Sequence, residues 1–180
     1  MRRRVCSLAV SLVASIASGA TLERLSLEEM AAKSSSIVRA RALSDGAVLV
    51  GSTIYTQTRF QVLERWKGPE GAEVDVSQPG GRVGQISQSY SGVPRFQAGQ
   101  ELVLFLWTGP SGRTQVIGLS QGVFEVERSA NGEVEVVRQP VREVLLEPGS
   151  GAPMVDEGIR TPLARLVSSI RGALERTRQK

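Results

Sequence analysis

Short segments in which apolar side chains occupy every second position recur along this 180-residue chain. In the first of them Val38, Ala40 and Ala42 alternate with arginines, a period of two that is typical of a half-buried strand. Spacings of about 8–12 residues between such segments, with Gly and Pro between them, favour a small all-β barrel or sandwich over a sheet of alternating strands and helices. Strands are predicted at 37–43, 53–66, 72–77, 83–90, 101–107, 113–119, 122–128 and 133–138.

The segment 102–107 lacks this alternation because all of its residues are apolar. A strand of this composition is covered on both faces, so we expect it at the centre of the sheet. Two dipeptides that favour tight turns interrupt the strands. Asp45-Gly46 predicts a turn after the first strand, and Asn131-Gly132 predicts the turn of the last hairpin.

Two helices are predicted outside the strands. Ser26 and Glu29 form a capping-box pattern that begins a short helix ending near Lys33. Close to the C-terminus, Thr161 and Pro162 predict an N-cap and a first helical position. The helix that follows carries one apolar stripe, and whether this stripe docks on the barrel, on a partner or on a membrane is left open. The stripe consists of Leu163, Leu166, Val167, Ile170 and Leu174.

Residues 1–20 have the three-part composition of a secretory signal peptide. Arginines follow Met1, an apolar core of about a dozen residues follows them, and small residues come last. Cleavage is predicted after Ala20, with Ala17 as the alternative. A membrane anchor is the competing interpretation, but the apolar core is shorter than the ~20 residues that a spanning helix needs. The chain is therefore predicted to be secreted or periplasmic.

The segment 147–158 is rich in Gly and Pro and is predicted to be a linker. It separates a β-barrel domain over 21–146 from a C-terminal amphipathic helix over 159–180. With the signal peptide over 1–20, these segments account for the whole chain.

Charge and residue counts exclude several function classes. The chain has 22 Lys and Arg against 18 Asp and Glu, and loss of Arg2, Arg3 and Arg4 with the signal peptide leaves a net charge of +1. The segment 21–158 is acidic, which argues against binding of nucleic acid. The chain has no histidine, and its single cysteine, Cys6, lies in the signal peptide. These counts exclude a Ser-His-Asp triad, a Cys-His pair and a His-ligated zinc site, and we predict neither a cofactor nor a metal.

Gly118-Leu119-Ser120-Gln121-Gly122 matches the G-x-S-x-G pattern of α/β-hydrolase nucleophiles. The hydrolase turn lies between a strand and a helix, whereas strand-like sequence follows Gly122, and Ser120 has no histidine to take its proton. No catalytic residue is therefore assigned, and a non-enzymatic protein is predicted. A hydrolase with an unusual Ser/Lys or carboxylate site is the alternative.

The last predicted hairpin carries glutamates at alternate positions. They could form an acidic stripe that meets a hard cation, but no calcium-loop spacing accompanies them. A solvated strand face is the prediction. The glutamates are Glu125, Glu127, Glu133 and Glu135.

Three segments share patterns with a known family. In 35–42 a polar pair precedes an alternating strand, 60–68 ends in Lys-Gly, and 98–106 leads from a glycine into an apolar strand. Together they resemble netrin-like modules and tissue inhibitors of metalloproteinases, and also a group of uncharacterised secreted bacterial β-barrel proteins. The resemblance covers roughly 35–127 and implies an OB-like Greek-key barrel.

With the strands above, we expect a mainly β fold: an OB-like Greek-key barrel of about 5–8 strands with a short N-terminal helix and a C-terminal amphipathic helix. No functional residue is carried over from the family. The inhibitors chelate zinc through an N-terminal cysteine, and the mature chain has no cysteine.

Two loops that contain glycine or proline are the candidate binding surface, at one end of the predicted barrel. In the first, successive glycine amides beside an arginine could cradle an anion, although glycines also serve a loop with positive φ angles. The second is expected to pack near the first, with its phenylalanine as an anchor for the core or for a ligand. The candidate residues are Gly80, Gly81, Arg82, Pro94, Arg95 and Phe96.

The function predicted from these observations is an exported, non-enzymatic β-barrel module that binds an unknown protein partner through its loops. Contact with a membrane is expected only through the C-terminal helix. A membrane-surface protein anchored by that helix is a further alternative.

Overall fold

A computed structural model describes residues 21–129, 131–141 and 143–179 of the chain. The predicted signal peptide and its cleavage after Ala20 lie outside the described residues. The fold is mainly β, with 49% of residues in strands and 17% in two helices, which confirms the predicted class at this level. The helices are α1 (Leu27–Lys33) and α2 (Leu163–Arg178). The strands are β1 (Thr21–Glu23), β2 (Ser36–Val50), β3 (Thr53–Lys67), β4 (Glu73–Pro79), β5 (Gly81–Val83), β6 (Ile86–Gln88), β7 (Glu101–Thr108), β8 (Thr114–Val116), β9 (Val123–Arg128), β10 (Val134–Arg138), β11 (Val144–Leu146), β12 (Pro153–Met154) and β13 (Ile159–Pro162).

The main sheet has the strand order β13-β10-β9-β7-β2-β3-β4, and β8 pairs with the C-terminal part of β7. All of its ladders are antiparallel. Although β8 and β4 are separated by three strands in this order, they lie against each other, so the sheet curls toward one face. Within the described residues the sheet is open, because no ladder joins β4 to another edge strand.

Three β-bulges bend β2 and β3, the two longest strands. An extra residue on one strand of an antiparallel pair bends that strand and increases its twist. As one consequence, Val62 and Trp66 pack in different core clusters on opposite faces of the sheet, although simple alternation places them on the same face. The register shifts lie between Ile37 and Val38, between Arg39 and Ala40, and between Ala42 and Ser44.

Residues 102–106 of β7 are buried on both faces, as the apolar run predicts, but the prediction is wrong for Trp107, which is 44% exposed. Val103 and Phe105 point to the helices, and Leu102 and Leu104 point to the curled side of the sheet. The helix face has the core residues Met30, Ala31, Ile37, Val103, Phe105, Phe124, Val136, Leu163, Leu166, Ile170 and Ala173. The concave face has the core residues Val38, Ala40, Ala42, Phe60, Val76, Leu102, Leu104, Leu106 and Val116.

Helix α2 lays its apolar stripe on the helix face, where Leu166 and Ile170 are buried. Helix α1 packs beside it, and Arg176 Nη2 in α2 donates to Glu28 Oε1 in α1 at 2.8 Å. The stripe that the sequence left without a partner is therefore docked on the sheet. Among the described residues, neither helix combines the length and the apolar character that crossing a membrane would require.

Helix α1 begins as its capping box predicts. Ser26 Oγ accepts from the Glu29 amide at 3.2 Å, and the Ser26 amide donates to Glu29 Oε2 at 2.8 Å. The hydrogen bond from the Ser26 amide lowers the pKa of Glu29. At the other end, Lys67 Nζ donates to the carbonyls of Ala31 and Ala32, which joins the helix to β3.

The start of α2 differs from the prediction by one residue. Ile159–Pro162 pairs with β10, so the backbone stays extended through Pro162 (ψ 138°), and Pro162 rather than Thr161 is the N-cap.

The prediction of a turn at Asp45-Gly46 is also wrong, because both residues continue the β2–β3 ladder. The turn follows β2 at Gly51, which has φ +61°.

The segment predicted as a linker is held against the rest of the fold. Within it, β12 pairs with β11 in a small separate sheet of the order β1-β11-β12. Asp156 binds both terminal nitrogens of Arg138 at 2.6 Å and accepts from the Val141 and Gly158 amides. Both charged side chains are 7% exposed. The hydrogen bonds from Arg138 lower the pKa of Asp156 from 3.8 to about 2.

Candidate binding site

The six loop residues singled out in the sequence line one cavity of about 370 Å³, here called the loop cavity. Sequence separates the two loops by more than ten residues, and the curl of the sheet brings them together. Strand residues from β2, β3 and β4 complete the wall. These are Asp45, Ala47, Thr56, Thr58, Gln78 and Pro79, and Val93 belongs to the second loop.

The floor of the loop cavity is the polar continuation of the concave face. On β3, Phe60 belongs to the apolar core, and Thr58 and Thr56 follow it on the same face toward the cavity. On β4, Val76 belongs to the core and Gln78 lines the cavity. Because Thr58 pairs with Val76 and Thr56 with Gln78, the face changes from apolar to polar within one step of the pleat.

The first loop is packed tightly on this floor. Gly81 has φ +131°, and a Cβ there would lie 2.5 Å from Thr56 Oγ1, so a larger residue would not fit. Thr56 Oγ1 donates to the Gly80 carbonyl at 2.8 Å, and the Gly80 amide donates to the Ile54 carbonyl at 2.7 Å. The Gly80 amide is therefore committed to the backbone and does not supply the anion cradle considered from the sequence. Arg82 follows at the rim.

Phe96 anchors the second loop to the core. Its ring meets the Phe60 ring edge-on, with the centroids 5.1 Å apart. At the start of the loop, Ser91 Oγ donates to Glu143 Oε1 at 2.8 Å, and a Cβ on Gly92 would lie 2.6 Å from the Glu143 carboxyl carbon. Glu143 is buried, and no pattern in the sequence marks it as a support for this loop.

The charges around the loop cavity are two arginines and one aspartate. Arg82 and Arg95 are exposed at its rim, and Asp45 lies on the β2 side. Across the described part of the chain, none of these three groups forms an ion pair. By contrast, Arg39 on the helix-facing side of β2 is bound by two carboxylates. The side chains that line the loop cavity therefore carry a net charge of +1. Outside this lining, Glu125 shares a neighbouring pocket with Arg95, and the buried Glu143 supports the second loop.

Gln78 carries an unused hydrogen-bond donor. The residue is 4% exposed, and its Nε2 is buried with no partner among the described residues. Leaving such a group unpaired costs about 1–3 kcal/mol, so each case calls for an explanation. The sequence does not single out Gln78, although it follows Val74 and Val76 at the next inward position of an alternating strand. A polar residue at such a position is the signal that could have identified it.

A second cavity of about 250 Å³ lies between the sheet and the helices, and we call it the helix-side cavity. Leu25, Phe124 and Leu166 line it together with the buried Gln121. Gln121 Oε1 accepts from the Leu25 amide at 2.8 Å, and Nε2 donates to the Glu23 carbonyl at 3.1 Å. Both ends of this amide join the N-terminal segment to the sheet.

Ser120 lies in a 3-10 turn, Leu119–Gly122, that leads directly into β9. A strand rather than a helix follows it, so the backbone context of a hydrolase nucleophile is not formed here. Of the lysines that the structure describes, Lys33 pairs with Glu29 and Lys67 binds the end of α1. Burial lowers the pKa of Lys67, but its ammonium is committed to helix carbonyls.

The glutamates of the β9–β10 hairpin are partly neutralised by β13. Arg160 donates to Glu135 at 2.9 Å and to Glu127 at 3.0 Å, and these hydrogen bonds raise the pKa of Arg160. Over the described ranges, no group of three or more acidic side chains is arranged to hold a metal ion.

Comparisons of the chain with protein-family models, with curated proteins and with solved structures gave no match.

Proposed function

We propose that this chain is an exported, non-enzymatic binding module and that its loop cavity receives part of a protein partner. The observation that carries the proposal is the buried Gln78 amide, which is unpartnered below two loops that meet over it. A volume of about 370 Å³ falls within the range of about 300–1,000 Å³ that is common for binding sites.

The finer fold assignment belongs to the same proposal. We place the chain among OB-like Greek-key barrels, related to netrin-like modules, in which loops at one end serve for binding. The curled antiparallel run β8-β7-β2-β3-β4 and the loops that meet at its end support this assignment. The three segments that resemble the netrin-like family supply or flank β2, β3 and β7.

A protein partner is favoured over a membrane because the apolar stripe of α2 is already buried on the helix face. Nucleic acid is disfavoured because the segment 21–158 is acidic. Export is supported by the signal-peptide pattern of 1–20. N-terminal sequencing of the protein recovered from the producing cells tests this part. Thr21 is the expected first residue, and a retained Met1 would contradict cleavage.

Photo-crosslinking tests the binding surface. Val93 lines the loop cavity, and Val155, which is 85% exposed and outside it, is the matched control. Each valine is replaced in turn by p-benzoylphenylalanine, and the protein is irradiated with envelope and secreted fractions of the producing cells. One discrete adduct is expected from position 93 and not from 155. No adduct, or the same adduct from both positions, would contradict the proposal.

Turnover assays test the non-enzymatic part. Esters and peptides are offered to the protein and to Ser120→Ala. No turnover is expected from either. A turnover that disappears in the variant would establish the hydrolase alternative.

A further inference from the structure

We infer that the group recognised in the loop cavity is a carboxylate, carried by an acidic side chain of an extended segment of the partner protein. The inference rests on the proposed function and specifies the chemistry of the same site. It follows from a donor on the cavity floor, cations on its rim and the net charge between them.

The floor requires a hydrogen-bond acceptor. Gln78 Nε2 is a buried donor without a partner in the described chain, and the neighbouring Gly80 amide and Thr56 hydroxyl already donate to backbone carbonyls. Nε2 is enclosed in the structure, so an acceptor in the cavity reaches it once the Gln78 side chain turns toward the cavity, and that contact removes the penalty of about 1–3 kcal/mol for leaving this donor unpaired. An ionised carboxylate consists only of acceptors, so it matches this position.

The rim supplies the opposite charge. The Arg82 and Arg95 guanidinium groups flank the cavity, and neither forms an ion pair within the described residues. Guanidinium groups bind carboxylates with two parallel hydrogen bonds, which gives orientation as well as attraction.

Asp45 limits the charge that the loop cavity accepts. Together with Arg82 and Arg95 it leaves a net charge of +1, which one carboxylate neutralises. A phosphate group carries nearly twice that charge at neutral pH and would meet stronger repulsion from Asp45. Asp45 can also accept from an amide of the bound segment. These charges favour a single carboxylate over a phosphate.

The protein as a whole attracts such a ligand only weakly. The segment 21–158, which holds the loop cavity, has a net negative charge, and the basic residues after it raise the net charge of 21–180 only to +1, so an acidic peptide gains little from long-range attraction. Recognition must come from the groups within the cavity. Reversing one charge at the rim is therefore expected to have a large effect, whereas reversing a distant charge is not.

Fluorescence anisotropy with labelled peptides tests the inference on the protein in the form that the cells produce. One peptide carries a single Glu between Gly-Ser spacers, a second carries Gln there, and a third carries phosphoserine. The Glu peptide is expected to bind at least ~10-fold more tightly than the other two. Equal binding of Glu and Gln peptides, or tighter binding of the phosphoserine peptide, would overturn the inference.

Variants locate the binding. Arg95→Glu is expected to weaken binding of the Glu peptide at least ~10-fold. Arg128→Glu is the control, because Arg128 is also exposed and forms no ion pair among the described residues, yet lies outside the loop cavity. Gln78→Met removes the floor donor and is expected to weaken binding several-fold without loss of thermal stability. Equal losses in Arg95→Glu and Arg128→Glu would overturn the inference.

The two proposals fail in different ways. If crosslinking at Val93 captures a partner but the Glu peptide does not bind, the carboxylate inference is wrong and the binding module stands. If neither the crosslink nor the peptide gives a signal, both are wrong. A uronic-acid oligosaccharide that binds more tightly than the Glu peptide would also overturn the assignment to a protein segment.

Discussion

Two buried glutamines line two cavities on opposite sides of the main sheet, and their surroundings differ. Gln121, 3% exposed, lines the helix-side cavity and uses both ends of its amide on the backbone of the N-terminal segment. Gln78, 4% exposed, lines the loop cavity, and its Nε2 has no partner in the described residues. Equal burial therefore accompanies a structural role in one case and an unused capacity for binding in the other.

The buried charges on the helix side resemble Gln121 in being hydrogen-bonded within the protein. Arg138 and Asp156 satisfy each other with two hydrogen bonds of 2.6 Å. Around the loop cavity, Arg82, Arg95 and Asp45 have no such partners among the described residues. On the helix side these buried polar groups satisfy one another, whereas the polar end of the concave face holds groups that a ligand can pair.

The largest expected difference between the two sides concerns packing. Phe105 is fully buried on the helix face with its ring 5.8 Å from that of Phe124, so Phe105→Ala is expected to lower the free energy of unfolding by about 3–5 kcal/mol. Phe96→Ala, at the half-buried wall of the loop cavity, is expected to lower it much less. Urea denaturation measures both. Equal losses would show that the two sides are packed alike.

Acidification is expected to weaken the helix side next. The pKa of Asp156 is about 2 in the folded protein and 3.8 as its ordinary value, so its contribution is complete above the ordinary value and is lost as the pH falls through the folded value. The loss is about 2 kcal/mol. Asp156→Asn should therefore be less stable than the native chain near pH 7 and approach it near pH 2. A stability gap that does not depend on pH would contradict this role.

The two glutamines provide the most direct comparison. Gln121→Met leaves the Leu25 amide and the Glu23 carbonyl without their partner, so it is expected to lower the free energy of unfolding by about 1–3 kcal/mol. Gln78→Met removes an unpaired donor, so it is expected to leave stability unchanged or to raise it by up to about 1 kcal/mol. Thermal denaturation of the two variants decides. A loss of stability in Gln78→Met equal to that in Gln121→Met would remove the distinction.

The smallest expected effect concerns helix α1, which covers part of the helix face together with α2. Ser26→Ala removes the cap of α1 and is expected to cost about 1 kcal/mol. Ser168→Ala, at an exposed position inside α2, is the control and should leave stability unchanged or slightly higher. Urea denaturation again gives the measurement. If the two variants have the same free energy of unfolding, the capping box does not stabilise α1 on the helix face.

Local patterns in the sequence predicted the elements whose determinants are local. The capping box placed the start of α1, and the apolar run over 102–107 identified a strand that is buried on both faces as far as Leu106. The bulges were not predictable, because they depend on the register in which β2 and β3 pair. Asp45-Gly46 has the residues of a turn, but the ladder with β3 outweighs that local preference.

The candidate site was predictable in part. Glycine, proline and arginine marked its two loops, and the structure brings all six residues around one cavity. The sequence does not mark Gln78 and Glu143 as part of the site, because their roles depend on residues far away in the sequence. Glu143 meets Ser91, 52 positions earlier, and the missing partner of Gln78 is visible only once the strands are paired.

The hydrogen bond between Arg176 and Glu28 joins residues 148 positions apart, so the helix face is assembled from the two ends of the chain. During synthesis the N-terminal part emerges first, and the face that Phe105 and Ile37 need covered stays open until α2 has been made. Closing the helix face is therefore a long-range step of folding, because the strands made first keep an apolar face uncovered until α2 packs on them.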